Sequence, residues 1–416
     1  MIMVSFQKVK IKDYCEITSS KRIFADEYLS SGVPFYRGKE ISEKQRSSAE
    51  VSDLIYISRD KFEEIKAKYG VPQKGDLLLT SVGTIGNPYL VKENEEFYFK
   101  DGNLTWFRNF HGINGQWLYY WLLSPQGKSE LNKCTIGSSQ KAYTINLLYG
   151  LQIELPELPT QTRIASVLSA YDDLIENNEK RIKALEQMSQ LLYTEWFIKF
   201  KFPGHEKEKM INSGTEYGMI PEGWKVGKIS ELVNVISGFP FKGSTYQESG
   251  KYKIVTIKNV HDGKFVLNFD SFIDDLPSKL PENCILNSGD ILLSLTGNVG
   301  RICVVYGSDY LLNQRVAKLN PTGTNKREYI YLLFRQKRFQ QKLEGMSNGA
   351  AQQNLSPIQV KDVKVIIPSS EILNEFSHLV KKHFDLVLSL QDENQNLSQI
   401  RDLLIPQLVT GKRELK

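Results

Sequence analysis

The chain repeats itself at about half its length, and no other feature restricts its fold as much. Residues 75–86 read GDLLLTSVGTIG and residues 289–300 read GDILLSLTGNVG, a shared frame G-D-[LI]-L-L-[TS]-x-x-G-x-[IV]-G spaced by 214 residues. Downstream, GSSQKAYTINLLYGLQIELP (137–156) aligns with GAAQQNLSPIQVKDVKVIIP (349–368) at a spacing of 212. Upstream, Phe6, Ile11, Asp13 and Ile17 correspond to Trp224, Ile229, Glu231 and Val235, and FYRGKEI (35–41) to IVTIKNV (254–260). Order is kept throughout and the spacing drifts by only a few residues, so the chain holds two copies of one folding unit. In each copy an apolar run (77–79; 291–293) enters a glycine-punctuated turn, the pattern of a buried strand.

Each copy ends in a long helical stretch. From 160 to about 200 there is no Gly or Pro, and a seam recurs in steps of four and three: Ile164, Leu168, Tyr171, Ile175, Asn178, Ile182, Leu185, Ser189, Leu192 and Trp196. That alternation is a coiled-coil seam. Pro203-Gly204 is expected to end the helix. The second copy carries Phe376, Val380, His383, Val387, Leu390, Asn394, Leu397, Arg401 and Leu404, with Pro406 expected to close it. About 40 residues at a 1.5 Å rise make a rod of roughly 60 Å. Two such rods separated by a globular domain are expected to pack antiparallel. The polar interruptions propose a register in which paired residue numbers sum to 572: Asn178 with Asn394, Ser189 with His383, Tyr171 with Arg401. The apolar partners match as well: Leu168 with Leu404, Ile175 with Leu397, Ile182 with Leu390, Leu185 with Val387, Leu192 with Val380 and Trp196 with Phe376. The fold class expected is α+β, two globular mixed α/β domains separated by two long antiparallel coiled-coil helices in a pseudo-twofold internal repeat.

Composition sets outer bounds. A chain of 416 residues with 41% hydrophobic and 24% charged residues is an ordinary globular chain of two or three domains. A net charge of +5 permits nucleic-acid binding without arguing for it. Cys15, Cys134, Cys284 and Cys303 form no CxxC pair and no metal-type spacing, and read as reduced buried thiols of a cytoplasmic protein. The opening MIMVSFQKVKIKDYCEI has no apolar core of a leader and no run of about 18 apolar residues occurs, so neither secretion nor a membrane is expected.

Fragments of catalytic motifs do not assemble into one. Gly86-Asn87-Pro88-Tyr89 resembles the N-P-P-Y signature of amino-methyltransferases but lacks its second proline, and the other copy reads Gly300-Arg301-Ile302-Cys303. Gly127-Lys128-Ser129 has the end of a P-loop, but the first glycine would have to stand at Leu122. Glu64 and Lys66 lie in the helix-like stretch FEEIKAKYG, where a charged face produces such pairs routinely. His378 and His383, five apart on a helix, do not share a face. No metal site, cofactor site or catalytic residue is expected in this chain, and a binder is the better reading.

Two variable globular domains, each followed by a long helix, resemble the specificity subunits of Type I restriction–modification systems. The resemblance covers essentially the whole chain. LPTQTRIASVLSAYDDLIENNEKRIKALEQMSQLLYTEWF (158–197) looks like that family's central conserved region and LSQIRDLLIPQLVTGK (397–412) like its C-terminal one. The G-D-[LI]-L-L frame and the G-x-x-Q segments at 137–140 and 349–352 are similar to those of its target recognition domains. The resemblance implies recognition domains at 1–157 and 204–368, a central conserved helix at 158–203 and a C-terminal conserved helix and tail at 369–416. It further implies that each recognition domain reads one half of a bipartite, asymmetric site in double-stranded DNA. The helices set the spacer and dock two modification subunits, which methylate adenine with S-adenosylmethionine. Restriction subunits, when present, bring ATP and Mg. The tail would return to the first domain.

DNA-contacting residues are expected beside the repeat frames, where polar and basic side chains can meet base edges or phosphates. In the first copy these are Arg37, Lys39, Ser81, Thr84, Ser139, Gln140 and Lys141. In the second they are Lys258, Asn259, Thr296, Asn298, Arg301, Arg315, Gln352 and Gln353. Each is equally readable as a solvated residue or turn cap. The glycines Gly83, Gly86, Gly297 and Gly300 read as turn formers. Asp172, Asp173, Glu176, Arg181 and Trp196 are expected to face the modification subunits or solvent. One other function stays open on sequence alone, a protein-binding adaptor on a coiled-coil rod without DNA; a nuclease using Glu64 and Lys66 would require metal-dependent cleavage by the isolated chain, and none is expected.

Overall fold

A computed structural model describes residues 6–46, 53–137, 141–347 and 354–413. The chain divides into two compact units, the first formed by Met1–Asn177 with Asn394–Lys416 and the second by Asn178–Glu393. Both divisions fall inside long helices, Leu158–Tyr193 and Ser370–Val409, so each unit owns part of both.

In the first unit a four-stranded antiparallel sheet runs in the order Glu16–Thr18, Leu104–Arg108, Leu77–Thr80, Pro88–Leu90. Leu77–Thr80 is buried on both faces, as an unbroken apolar run requires. Leu77 and Leu79 join Phe107, Trp117, Trp121 and Ile153 in one core, while Leu78 joins Phe99, Leu104 and Trp106 in another. A three-stranded sheet places Val33–Tyr36 between Ile55–Ile57 and Tyr98–Phe99, and Gln7–Lys10 pairs with Gln152–Leu155. Ser124 serves two helices at once, ending Gly115–Leu123 and capping Pro125–Lys133 through Gly127 N (3.0 Å). Ile164 and Leu168 from one long helix and Ile405, Leu408 and Val409 from the other complete the first core.

The second unit repeats this plan. Its four-stranded sheet runs Val233–Ser237, Val316–Pro321, Ile291–Ser294, Ile302–Val304, and Lys225–Lys228 pairs with Lys364–Ile367. Ile291 and Leu293 face a core shared with Trp196, Phe376 and Val380, and Leu292 faces a second with Cys303 and Val316. The four cysteines are all free and buried.

The helices differ from expectation at their ends. The first begins at Leu158, anchored by the buried Gln161, whose Nε2 donates to Pro156 O (2.7 Å) and whose Oε1 accepts from Asn114 N (2.7 Å). It leaves α geometry before Pro203, through a π turn over Thr194–Ile198, and Phe200 takes a φ of 56°. Pro406 does not close the second helix, which runs on to Val409. Proline only removes one donor there, and its own carbonyl still accepts from Thr410 Oγ1 (2.6 Å). Just past its end stands Gly411, whose φ of 71° suits a C-terminal cap.

Within the second unit Ser189 Oγ lies 3.1 Å from His383 Nδ1, and the Trp196 and Phe376 rings are 5.5 Å apart. Within the first, Leu168 and Leu404 pack in one core and Asn394 Nδ2 reaches Ile175 O (3.4 Å). Arg401 reaches Asp172 rather than Tyr171, and Tyr120 Oη donates to the same carboxylate (2.5 Å). Leu390 and Asn178 are buried, whereas Ile182, Leu185, Val387 and Leu397 are half-buried.

Candidate nucleic-acid interface

In each unit the central strand runs out into a turn that glycine makes possible. Gly83 and Gly86 take φ of 81° and 84°, and Gly297 and Gly300 take 71° and 84°, a region that a Cβ disfavours. Gly86 N donates to Thr80 O (2.9 Å) and Asn87 N to Thr80 Oγ1 (2.9 Å). The second unit repeats both bonds, Gly300 N to Ser294 O (3.1 Å) and Arg301 N to Ser294 Oγ (3.0 Å).

Two further segments flank this turn. Ser81 N donates to Asn103 O (2.8 Å) and Tyr143 N to Ser81 O (3.0 Å). Their counterparts are Leu295 N to Arg315 O (3.1 Å) and Leu355 N to Leu295 O (2.8 Å). The frame and the segment after G-x-x-Q, about 60 residues apart in sequence, are therefore neighbours in both units. Each unit presents one composite edge built from three segments.

The expected contact residues fall into three groups. Thr84, Lys141, Asn298 and Arg315 are exposed on these edges, and Arg301 is half-buried there. With its amide oxygen turned toward Arg301, Asn298 accepts from Nη1 (3.2 Å) and Nη2 (3.3 Å) and steadies that guanidinium. Ser139, Gln140, Gln352 and Gln353 lie outside the described residues.

The rest are engaged within their own unit, some by burial and some only by a surface ion pair. Ser81 is buried with its hydroxyl 2.7 Å from Thr105 Oγ1, and Thr296 is buried as well, so neither offers a side chain to DNA. Asn259 is buried and fully engaged: its Oδ1 accepts from Thr256 N (2.9 Å) and its Nδ2 donates to Val266 O and Asn268 O. It is a brace for its own turn. In the first unit Glu40 does the same for Arg37, accepting from Arg37 N (2.7 Å) and also gripping the Arg37 guanidinium. Burial alone would raise the Glu40 carboxyl, but the Arg37 bonds outweigh it and hold it below the usual range. Arg37 is thereby committed inside the unit. Lys39 and Lys258 stay exposed but lie near carboxylates, Lys258 Nζ at 2.6 Å from Asp270 and Lys39 Nζ at 3.8 Å from Glu43. On the helices Asp173 and Arg181 are exposed, whereas Trp196 is buried, Asp172 holds Arg401 and Glu176 pairs with Lys92.

Asn87 and Asn103 escaped the sequence reading although they stand on the same edge. Applying the repeat spacing backwards from Arg301 and Arg315 would have found both. Neither is basic, and neither lies inside the glycine frame itself.

The family profile described as "Type I restriction modification DNA specificity domain" matches residues 3–187 and again 221–399. The chain belongs to this family. Each match holds one glycine frame, one composite edge and most of one long helix, so the family unit and the internal repeat coincide. Among specificity-family relatives, the Type I restriction enzyme MjaIX specificity subunit of Methanocaldococcus jannaschii is 28% identical, covering 97% of this chain and 92% of its own length. The HindI specificity subunit of Haemophilus influenzae is 21% identical, over 82% and 87%. A solved structure, the S subunit of a Type-I restriction-modification system from M. genitalium, shares the fold with a TM-score of 0.58 at 15% identity, covering 100% of this chain and 98% of that one.

The motif fragments resolve differently. Glu64 pairs with Lys61 and Lys68, and Lys66 with Glu63, so these two side chains do not form a site together. Pro88 opens the edge strand Pro88–Leu90. Among the described residues no helix is long and apolar enough to cross a membrane.

Proposed function

We propose that the chain reads DNA for a Type I restriction–modification complex, each unit recognising one half of a bipartite, asymmetric site. The observation that carries this is the pair of composite edges: one set of backbone bonds occurs twice, mounting different polar side chains each time. A fixed frame with exchangeable side chains is what reading two different half-sites through base edges needs.

The long helices hold the half-sites apart and dock two modification subunits. Each unit exposes a matching set of apolar helix side chains. The first unit carries Leu174, Ile400 and Leu403, and the second carries Leu386, Met188 and Leu191, equivalent pairwise at a spacing of 212. Leu191 and Leu403 are 65% and 66% exposed, and it is the recurrence of the same apolar set in both units, not any one exposed leucine, that a pair of partners would use. Two identical partners would use two equivalent surfaces. The chain itself catalyses nothing and works in the cytoplasm. S-adenosylmethionine belongs to the modification subunits, and ATP with Mg to restriction subunits where these are present. The adaptor reading is not favoured, because it leaves the match of both repeats to a DNA specificity family unexplained.

The test is co-expression with the modification subunit of its system, followed by methylome sequencing. A single bipartite motif methylated on adenine in both halves is expected. A stable complex that leaves no new methylation, with the partner shown to be active, would sink the proposal.

A further inference from the structure

The two composite edges share their backbone bonds, so any difference in what they read has to come from their side chains. At the repeat spacing Thr84 corresponds to Asn298, Asn87 to Arg301, Gly102 to Gln314 and Asn103 to Arg315. The first edge is neutral at the last of these positions and the second is cationic.

Arg315 stands on a rigid base. Its carbonyl accepts from Leu295 N (3.1 Å), and its N–H reaches Oδ1 of the buried Asn313 (3.4 Å), which is itself held by Tyr246 Oη (3.3 Å). Its side chain is exposed and makes no hydrogen bond or ion pair among the described residues. Other arginines of the unit lie against carboxylates, Arg335 at 3.2 Å from Asp262 and Arg327 at 3.9 Å from Asp385. Asn103 is half-buried, with its carbonyl engaged by Ser81 N and its amide side chain bonded to nothing among the described residues. Both units thus hold, at the same place beside the turn, a side chain with unused bidentate hydrogen-bonding capacity.

Resting on the DNA-reading function proposed above, we infer that Arg315 and Asn103 are equivalent base-discriminating residues of the two half-sites, Arg315 taking a guanine and Asn103 an adenine. The chemistry follows from the groups. A guanidinium fork donates two hydrogen bonds to the O6 and N7 of guanine, and a carboxamide accepts from N6 and donates to N7 of adenine. Arg301, already gripped by Asn298, adds charge beside Arg315 on the same edge.

The test uses the full complex with its modification subunits and reads methylomes of R315Q, R315K and N103A. Wild type should give a bipartite motif with a fixed guanine in one half. R315Q and R315K should both relax that single position, with discrimination falling about five- to a hundredfold, because lysine keeps the charge but loses the fork. N103A should relax one adenine position in the opposite half. An unchanged motif with uniformly weaker methylation in R315Q, or full recovery in R315K, would overturn the assignment by making Arg315 a phosphate contact. A wild-type complex with no bipartite motif would instead overturn the DNA-reading function itself, before any variant is compared.

Discussion

The two units agree where backbone meets backbone and disagree where a side chain replaces a hydrogen-bond partner. Asp76 and Asp290 precede the equivalent central strands, and each accepts from a backbone N–H three residues back, Gln73 N (2.9 Å) and Asn287 N (2.8 Å). Their second partners differ. Asp76 receives the indole N–H of Trp106 (2.9 Å), whereas Asp290 holds the ammonium of Lys318 (2.8 Å). Trp106 and Lys318 face the same strand position, opposite Leu78 and Leu292. The first unit thus keeps a buried carboxyl hydrogen-bonded to neutral donors, which burial pushes upward in pKa despite those bonds and the charge of Arg108. The second keeps an ion pair whose members are 12% and 17% exposed. A turn can be braced with or without a counter-charge, and the main chain does not record which.

The units also diverge after their parallel strand pairs. Val33–Tyr36 leads into the helix Gly38–Arg46, and Tyr252–Val255 leads into the short hairpin of Val260–His261 with Lys264–Phe265. Glu40 and Asn259 nonetheless brace the start of each segment in the same way, by accepting from the backbone N–H three residues back. Framework bonds are held in common while the segments they anchor vary.

The sharpest way to break this comparison is to exchange one unit's recognition part. Replacing residues 1–157 with the same part of a relative should replace one half of the methylated motif completely and leave the other half and the spacer unchanged. Methylome sequencing checks it, and a change in both halves would refute independent reading.

Deleting residues from Leu404 onward should come next in size. It removes Leu404, Ile405, Leu408 and Val409 from the first unit's core and nothing from the second's. Hydrogen exchange followed by mass spectrometry should show the first unit unprotected and the second intact. The milder Leu408→Ala should cost the first unit about 2–5 kcal/mol, as a fully packed leucine does.

Asp290→Asn should destabilise the second unit by about 3–5 kcal/mol, because Lys318 is left largely buried and unpaired. Asp76→Asn should cost the first unit only about 1 kcal/mol, since an amide oxygen can still accept from Gln73 and Trp106. Denaturant unfolding followed by unit-resolved exchange compares them, and equal costs would dissolve the distinction between the two braces.

The smallest effect concerns pH. Burial alone would raise the Glu95 carboxyl, but Lys44 (2.7 Å) and Tyr89 Oη (2.6 Å) outweigh it, and Glu95, like Glu40, lies below the usual range. A depressed carboxyl contributes stability above its unfolded pKa and loses it as pH falls through the lower folded value. Asp76, shifted upward, acts in the opposite sense and favours the folded state once protonated. The first unit should therefore lose stability on acidification below about pH 4.5, and Glu40→Gln should flatten that slope. A slope unchanged by Glu40→Gln would remove Glu40 from the account.

Much of this was legible in the sequence because it depends on periodicity. The duplicated glycine frame, the buried central strands and the two long helices all follow from residue spacing, which the folded chain obeys locally. Pro406 shows the limit of such rules, since a proline near a helix end removes one donor without forcing the chain to turn. The candidate edges were legible only in part. Thr84 and Asn298 stand where the frame puts them and Arg315 on the segment bonded beside it, but Ser81, Thr296 and Asn259 have the right chemistry and point inward.

By itself the sequence determined that there are two equivalent units, where their central strands and long helices lie, and which family they belong to. These rest on local spacing and on side-chain types. Only tertiary structure decided which polar side chains are spent inside and which remain for a partner. That choice depends on neighbours about 25 to 60 residues away, such as Thr105 against Ser81 or Tyr143 beside the same turn, and no local pattern contains them.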